Sequence, residues 1–222
     1  MAETSSGNRV SIMMPAAITL LVTILRLVGE LQHWSPKLFN TEAGGGGALV
    51  GISWLPIIFG PYFALKLAGA GDGPASKGKA IGLSLASLPV LVVGGFLVGK
   101  SFSSGSAVLA IVGFVVMFAA AFVARAGWPS LGTTLLKYAY AARIPVLIVM
   151  FIAFKEAWAT HYTALPPQLA SAPFWRQFLD AAVLPQLLLW TGFTVVVGSI
   201  FGTVVAALAG KTKPAVQTAT SS

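Results

Sequence analysis

The sequence predicts an all-α protein, a polytopic membrane helix bundle with six transmembrane helices and a short interfacial helix on the outer side. Composition is the first of three supporting observations: 56% of the 222 residues are hydrophobic and only 9% are charged. With a mean hydropathy of +0.85, the chain lacks the polar surface that a soluble domain of this size needs. Apolar blocks of spanning length, about 20 residues, recur between short polar joints. Finally, the basic residues gather at the predicted helix ends, as topology signals do.

The N-terminal "MAETSSGNRVSIMMP" carries one Arg9 before its apolar run, and no small-residue cleavage site follows. Residues 1–10 are therefore read as a cytoplasmic tail and Ser11–Glu30 as the first span, not a cleaved signal. Further spans are expected at Ala48–Leu67, Ala80–Gly99, Ala107–Arg125, Arg143–Ala159 and Val183–Leu208. The fifth has an alternative start at a Ser130 N-cap following Pro129, which would lengthen it to about 42 Å over Leu131–Trp158. Residues 211–222, rich in small polar residues, read as a disordered cytoplasmic tail.

Six crossings put both termini on one face. That face collects nine Lys and Arg residues and the opposite face five, so both termini are expected in the cytoplasm of a bacterial-type plasma membrane. Trp34, Trp158, Trp175 and Tyr162 fall at the predicted outer boundary, where amphipathic rings concentrate. "SPKLFNTEAGGGGA" is expected to form a flexible outer loop. "SAPFWRQFLDAA" is expected to lie flat on the outer surface as a short helix with Phe174, Trp175, Phe178 and Leu179 on one side.

Small residues let helices approach closely where lipid removes the hydrophobic drive to associate. The last span carries Gly198 and Gly202 in "GSIFG"; the third carries Gly78 with Gly82 and Gly95 with Gly99. All six are expected to pack helices within one chain, the competing reading being self-association into a homo-oligomer or membrane complex. Pro56, Pro61, Pro89, Pro145 and Pro185 lie within spans and favour kinks. "ASLPVLVV" and "ARIPVLIV" share five letters in register, a match that a composition so rich in these residues explains without duplication.

Chemistry concentrates at the outer ends of the first and fifth spans. Arg26 and Glu30 stand one helical turn apart, a spacing that forms ion pairs. Nine Leu, Ile or Val residues between Ile12 and Val28 offset the insertion cost of one arginine, about 3 kcal/mol. Arg26, Glu30 and Arg143 are the ionisable groups expected to face protein and not lipid. Glu30 and His33 also form Glu-x-x-His, a spacing used in carboxylate-bridged metal sites, and Glu156 and His161 fall on the same predicted side.

Two functional readings follow. The first is a non-enzymatic small-solute or ion permease, or an accessory membrane subunit, with Arg26, Glu30 and Arg143 as its polar focus and no cofactor. The alternative is an outer-face metalloprotein or metalloenzyme holding a divalent transition metal through Glu30, His33, Glu156 and His161. The lipid bilayer is the expected partner in both. Nucleic acid is excluded, because the bases form no stripe with interleaved aromatics. With no cysteine, thiolate ligands, cysteine nucleophiles and disulfides are excluded as well. "GISW" lacks the final glycine of the Gly-x-Ser-Gly nucleophile of intramembrane serine proteases, and "GGGG" precedes no Lys-Ser or Lys-Thr pair.

Overall fold

The computed structural model describes residues 10–42 and 48–210. Both predicted terminal tails, apart from Val10, and the four-glycine stretch of the outer loop lie outside these residues. Six long helices make up the fold: α1 (Met13–Leu31), α2 (Leu55–Gly69), α3 (Lys77–Ser104), α4 (Ala107–Gly127), α5 (Pro129–Lys155) and α6 (Phe174–Leu208). No strand occurs among the described residues. All except α2 are long and apolar enough to cross a bilayer, the character of a multi-pass membrane protein. At 15 residues, α2 extends only about 22 Å at 1.5 Å per residue, short of a hydrocarbon core near 30 Å.

Three boundaries depart from the sequence expectation. Helix α2 starts at Leu55 instead of Ala48, with Pro56 in its first turn, where its missing N–H has no intrahelical partner to lose. Helix α5 starts at Pro129 and not at Arg143, close to the alternative start at Ser130, although its N-cap is Trp128. Trp128, extended at φ −150° and ψ 90°, breaks from α4, and Pro129 opens the next helix at once. Arg143 consequently stands near the midpoint of α5, roughly 20 Å from either end, and not at a helix terminus.

The third departure is the expected flat outer helix, which is instead the first part of α6. The helix passes through two π turns, Leu179–Val183 and Pro185–Leu189. These wider turns carry the chain past Pro185, whose missing N–H would weaken an ordinary α ladder. Phe174 and Phe178 pack on Phe151 and Phe154 of α5 at centroid distances of 5.4–6.4 Å. Trp175 and Leu179 remain exposed, so the four side chains do not share one partner.

Helix α6 is the hub, packing against α2, α3, α4 and α5, while α3 and α4 form a tight hairpin and α1 lies against α5. Gly105, at φ +67°, makes the left-handed turn that lets α3 reverse into α4. At the other end of the bundle, Trp128 donates to the Asp72 carbonyl at 3.0 Å and Ser130 to the Asp72 carboxylate at 2.7 Å. Those two bonds tie the α2–α3 loop to the α4–α5 junction. Inside, Phe59, Phe63 and Tyr138 form an aromatic cluster with neighbouring centroids 5.4–6.5 Å apart.

Small-residue packing holds for α6 and fails for α3. A Cβ on Gly60 of α2 would fall on the carbonyl oxygen of Gly198, and one on Gly202 would lie 2.8 Å from the carbonyl oxygen of Gly60. The two backbones are thus in contact. In α3, however, a Cβ on Gly78, Gly82 or Gly99 meets nothing within 4 Å, and one on Gly95 meets only Met117 at 3.8 Å. The close approach to α4 runs through Gly94 instead, where a Cβ would lie 2.8 Å from the Gly113 carbonyl oxygen. Spacing identified small residues on α3 but not the side that α4 covers.

Candidate functional site: a buried Arg-Glu-His cluster beside a mid-helix arginine

Helices α1 and α5 touch, and their contact brings the charged groups together. Both helices stop on a left-handed residue, His33 at φ +53° after α1 and Ala157 at φ +50° after α5. The chain then turns back over the bundle end, and residues 160–163 settle against α1. Glu30, 1% exposed, receives Arg26 Nε at 2.7 Å. It also receives the His161 backbone N–H at 2.8 Å and His161 Nδ1 at 2.6 Å. Arg26, 6% exposed, donates in addition to the Asn40 carbonyl at 3.2 Å.

An ionised carboxylate only accepts, so Nδ1 of His161 carries a proton and a neutral ring keeps Nε2 as an acceptor. Burial holds the His161 imidazole below its ordinary range, outweighing the opposing pull of the Glu30 hydrogen bond, and Arg26 pushes the same way. Its ring packs on that of Tyr162 at a centroid distance of 3.8 Å, tilted by 42°, and the Tyr162 hydroxyl donates to the Thr23 carbonyl at 3.4 Å. Burial, reinforced by the Glu30 charge, raises the Tyr162 phenol well above its usual value, so it stays protonated. Deeper along the same interface, Thr19 and Tyr138 share a hydrogen bond of 2.8 Å.

The His161 environment sets a pH dependence. A group whose folded pKa lies below its unfolded value contributes stability above the unfolded value, about 6.5 for histidine, and loses it as pH falls toward the folded value. Thermal denaturation in detergent should therefore show the protein losing stability as pH drops below about 6.5. His161→Asn, which keeps an N–H donor for Glu30 but cannot titrate, should flatten that part of the profile. Identical profiles for the two proteins would remove His161 as the source.

Next to this cluster lies a cavity of about 360 Å³. Arg26, His161 and Tyr162 line one part of it, and Arg143, Gln186 and Trp190 another. Ser53 and Phe102, both exposed, stand among its lining residues. Arg143 is 4% exposed and has no carboxylate within 4 Å among the described residues. One terminal nitrogen donates to Gln186 Oε1 at a long 3.4 Å, the guanidinium lies 5.2 Å from the Trp190 ring centroid, and the buried Nε has no hydrogen-bond partner among the described residues. The Gln186 amide is oriented by its other end, where Nε2 contacts the Met150 sulfur at 3.6 Å.

Of the sequence candidates, Arg26, Glu30 and His161 come together and Arg143 joins them across the cavity. His33 and Glu156 do not: both are exposed. Helix α1 ends at Leu31, so the Glu-x-x-His spacing no longer directs His33 to the side of Glu30. Among the described residues, no three His, Cys, Asp or Glu side chains are placed to hold a metal ion. Tyr162, Gln186 and Trp190 were not among the predicted site residues. Gln186 and Trp190 carried a signal, since a buried amide and an indole far from either boundary are both unusual in a span. Tyr162 resembled an ordinary boundary ring. Comparison with protein-family models, with curated proteins and with solved structures finds no match for the chain.

Proposed function

We propose that this protein is a non-enzymatic, multi-pass plasma-membrane permease for a small solute or ion, with the cavity between α1, α5 and α6 as its binding site. The observation that carries this reading is Arg143. A charged side chain near the centre of a bilayer costs several kcal/mol, about 2.5–3.5 on insertion scales, and such residues mark substrate or ion pathways. Arg143 combines that depth with an unpartnered Nε and a cavity at its side.

Supporting features are Pro185 and the two π turns of α6, because π turns within helices are frequent at functional sites. Six crossings with both termini in the cytoplasm remain the preferred arrangement. With Arg143 moved to mid-helix, eight bases against five still favour it. Short α2 completes the count if the bilayer thins locally around it. The metal-binding alternative has lost two of its four ligands to the exposed surface, and the accessory-subunit reading leaves Arg143 without a role.

The absence of cysteine permits a direct test. Val146→Cys and Leu189→Cys, both in the cavity wall, would each be the single thiol in the protein. In proteoliposomes of known orientation, a permease should let a small hydrophilic methanethiosulfonate label these thiols from either side. Thiols unreactive from both sides, or reactive from one side only, would reject the permease reading.

A further inference from the structure

The charges around the cavity do not balance, and the imbalance points to the kind of solute it takes. Arg26 is neutralised by Glu30 at 2.7 Å. His161 is held neutral by its burial. Asp180, in the cavity wall, is paired with Arg176 at 3.6 Å. That leaves Arg143, which meets a neutral amide oxygen and an indole face. One positive charge, almost fully buried, faces the cavity without a counter-charge among the described residues.

The other walls narrow the choice. Val146, Met150 and Leu189 supply apolar surface on the α5 and α6 sides. Strongly hydrated dianions such as inorganic phosphate would lose too much solvation against such walls. A volume of about 360 Å³ sits at the low end for small-molecule sites, which run from about 300 to 1,000 Å³. It suits a compact solute better than a two-chain lipid. The guanidinium has donors left to offer: of its five N–H groups, one makes a long bond to Gln186. A planar carboxylate is the acceptor that matches such a fork.

We propose that the solute is a small organic monoanion, a monocarboxylate with an apolar body, whose carboxylate docks on Arg143 while its body lies along Val146, Met150 and Leu189. This rests on the cavity being a solute site. Gln186 and Trp190 act as positioning residues: the amide accepts from one terminal guanidinium nitrogen and the indole face restrains the plane, leaving the other terminal nitrogen to the ligand.

The test uses the full chain in nanodiscs of zwitterionic phosphatidylcholine, with benzoate as probe and benzamide as its neutral analogue. Benzoate should raise the melting temperature and slow methanethiosulfonate labelling of Leu189→Cys by about tenfold, the scale of one charge-assisted interaction. Benzamide and inorganic phosphate should do neither. Arg143→Gln should abolish the benzoate effect. Should that variant not fold, the comparison of benzoate with benzamide on the Leu189→Cys protein still decides. Equal protection by benzamide would overturn the anion assignment and leave a solute site standing, whereas an unreactive Leu189→Cys together with no benzoate stabilisation would overturn both. Protection by phosphatidylglycerol added to the nanodiscs, with none by benzoate, would assign Arg143 to a lipid headgroup and reject the proposal.

Discussion

Glu30→Ala is expected to destabilise the protein by about 3–5 kcal/mol, the range for removing one partner of a buried ion pair. The carboxylate accepts three hydrogen bonds, from Arg26 and from the backbone and ring of His161. Its removal takes away the carboxylate that pairs with Arg26, 6% exposed, and it releases the loop that the His161 contacts pin to α1. Because α1 packs against α5, this cluster is a large part of what fixes the first helix to the bundle.

The double variant Arg26→Met, Glu30→Leu should be much less damaged than Glu30→Ala, since replacing both members of a buried ion pair by apolar residues costs less than removing one. Unfolding in mixed micelles of increasing dodecyl sulfate content would measure both. Equal losses in the two variants would show that the ion pair is not the source of the effect. In Glu30→Ala, protease sensitivity should rise first in residues 156–173, the segment anchored by His161.

Gly60→Ala is expected to lower stability by about 1–3 kcal/mol or more through overpacking. The added methyl group would occupy the position of the Gly198 carbonyl oxygen. Because that atom belongs to the backbone of α6, rotation of a side chain cannot relieve the clash. Helices α2 and α6 must separate, and α6 also carries Gln186 and Trp190 beside Arg143. Gly78→Ala, where the new Cβ meets nothing within 4 Å, should be neutral or slightly stabilising, as alanine is the better helix former. Comparable destabilisation by both substitutions in thermal unfolding would refute the backbone contact between α2 and α6.

The two glycine positions mark where sequence reading succeeds and where it stops. "GSIFG" in α6 was recognisable from spacing, and Gly198 and Gly202 do sit against α2. Its counterpart on α2, Gly60 with Ala64 four residues on, had the same small-residue spacing but lay within a span marked by its prolines. On α3 the spacing of Gly78 with Gly82 and Gly95 with Gly99 was as regular as on α6, yet the covered face passes through Gly94. Spacing shows which small residues share a helix face; only the neighbouring helix shows which face is covered.

The candidate site divides along the same line. Arg26 and Glu30 lie one turn apart on one helix, so their pairing is a local fact that helical periodicity makes legible. The bond from Glu30 to His161 joins residues 131 positions apart, and it depends on where the chain reverses after α5 and how that loop settles on α1. Arg143 was recognised as an ionisable group facing protein, and only the longer alternative for the fifth span gave its depth.

By itself, the sequence determined an all-helical chain of apolar segments and the ion pair on its first helix, because insertion preference and i,i+4 pairing depend only on residues close together along the chain. The tertiary structure alone decided that Arg143 lies at mid-helix beside a cavity, that Glu30 holds His161, and that His33 and Glu156 stand apart from them. Those outcomes depend on which helices pack together and where each one stops, and both are settled by contacts between distant segments.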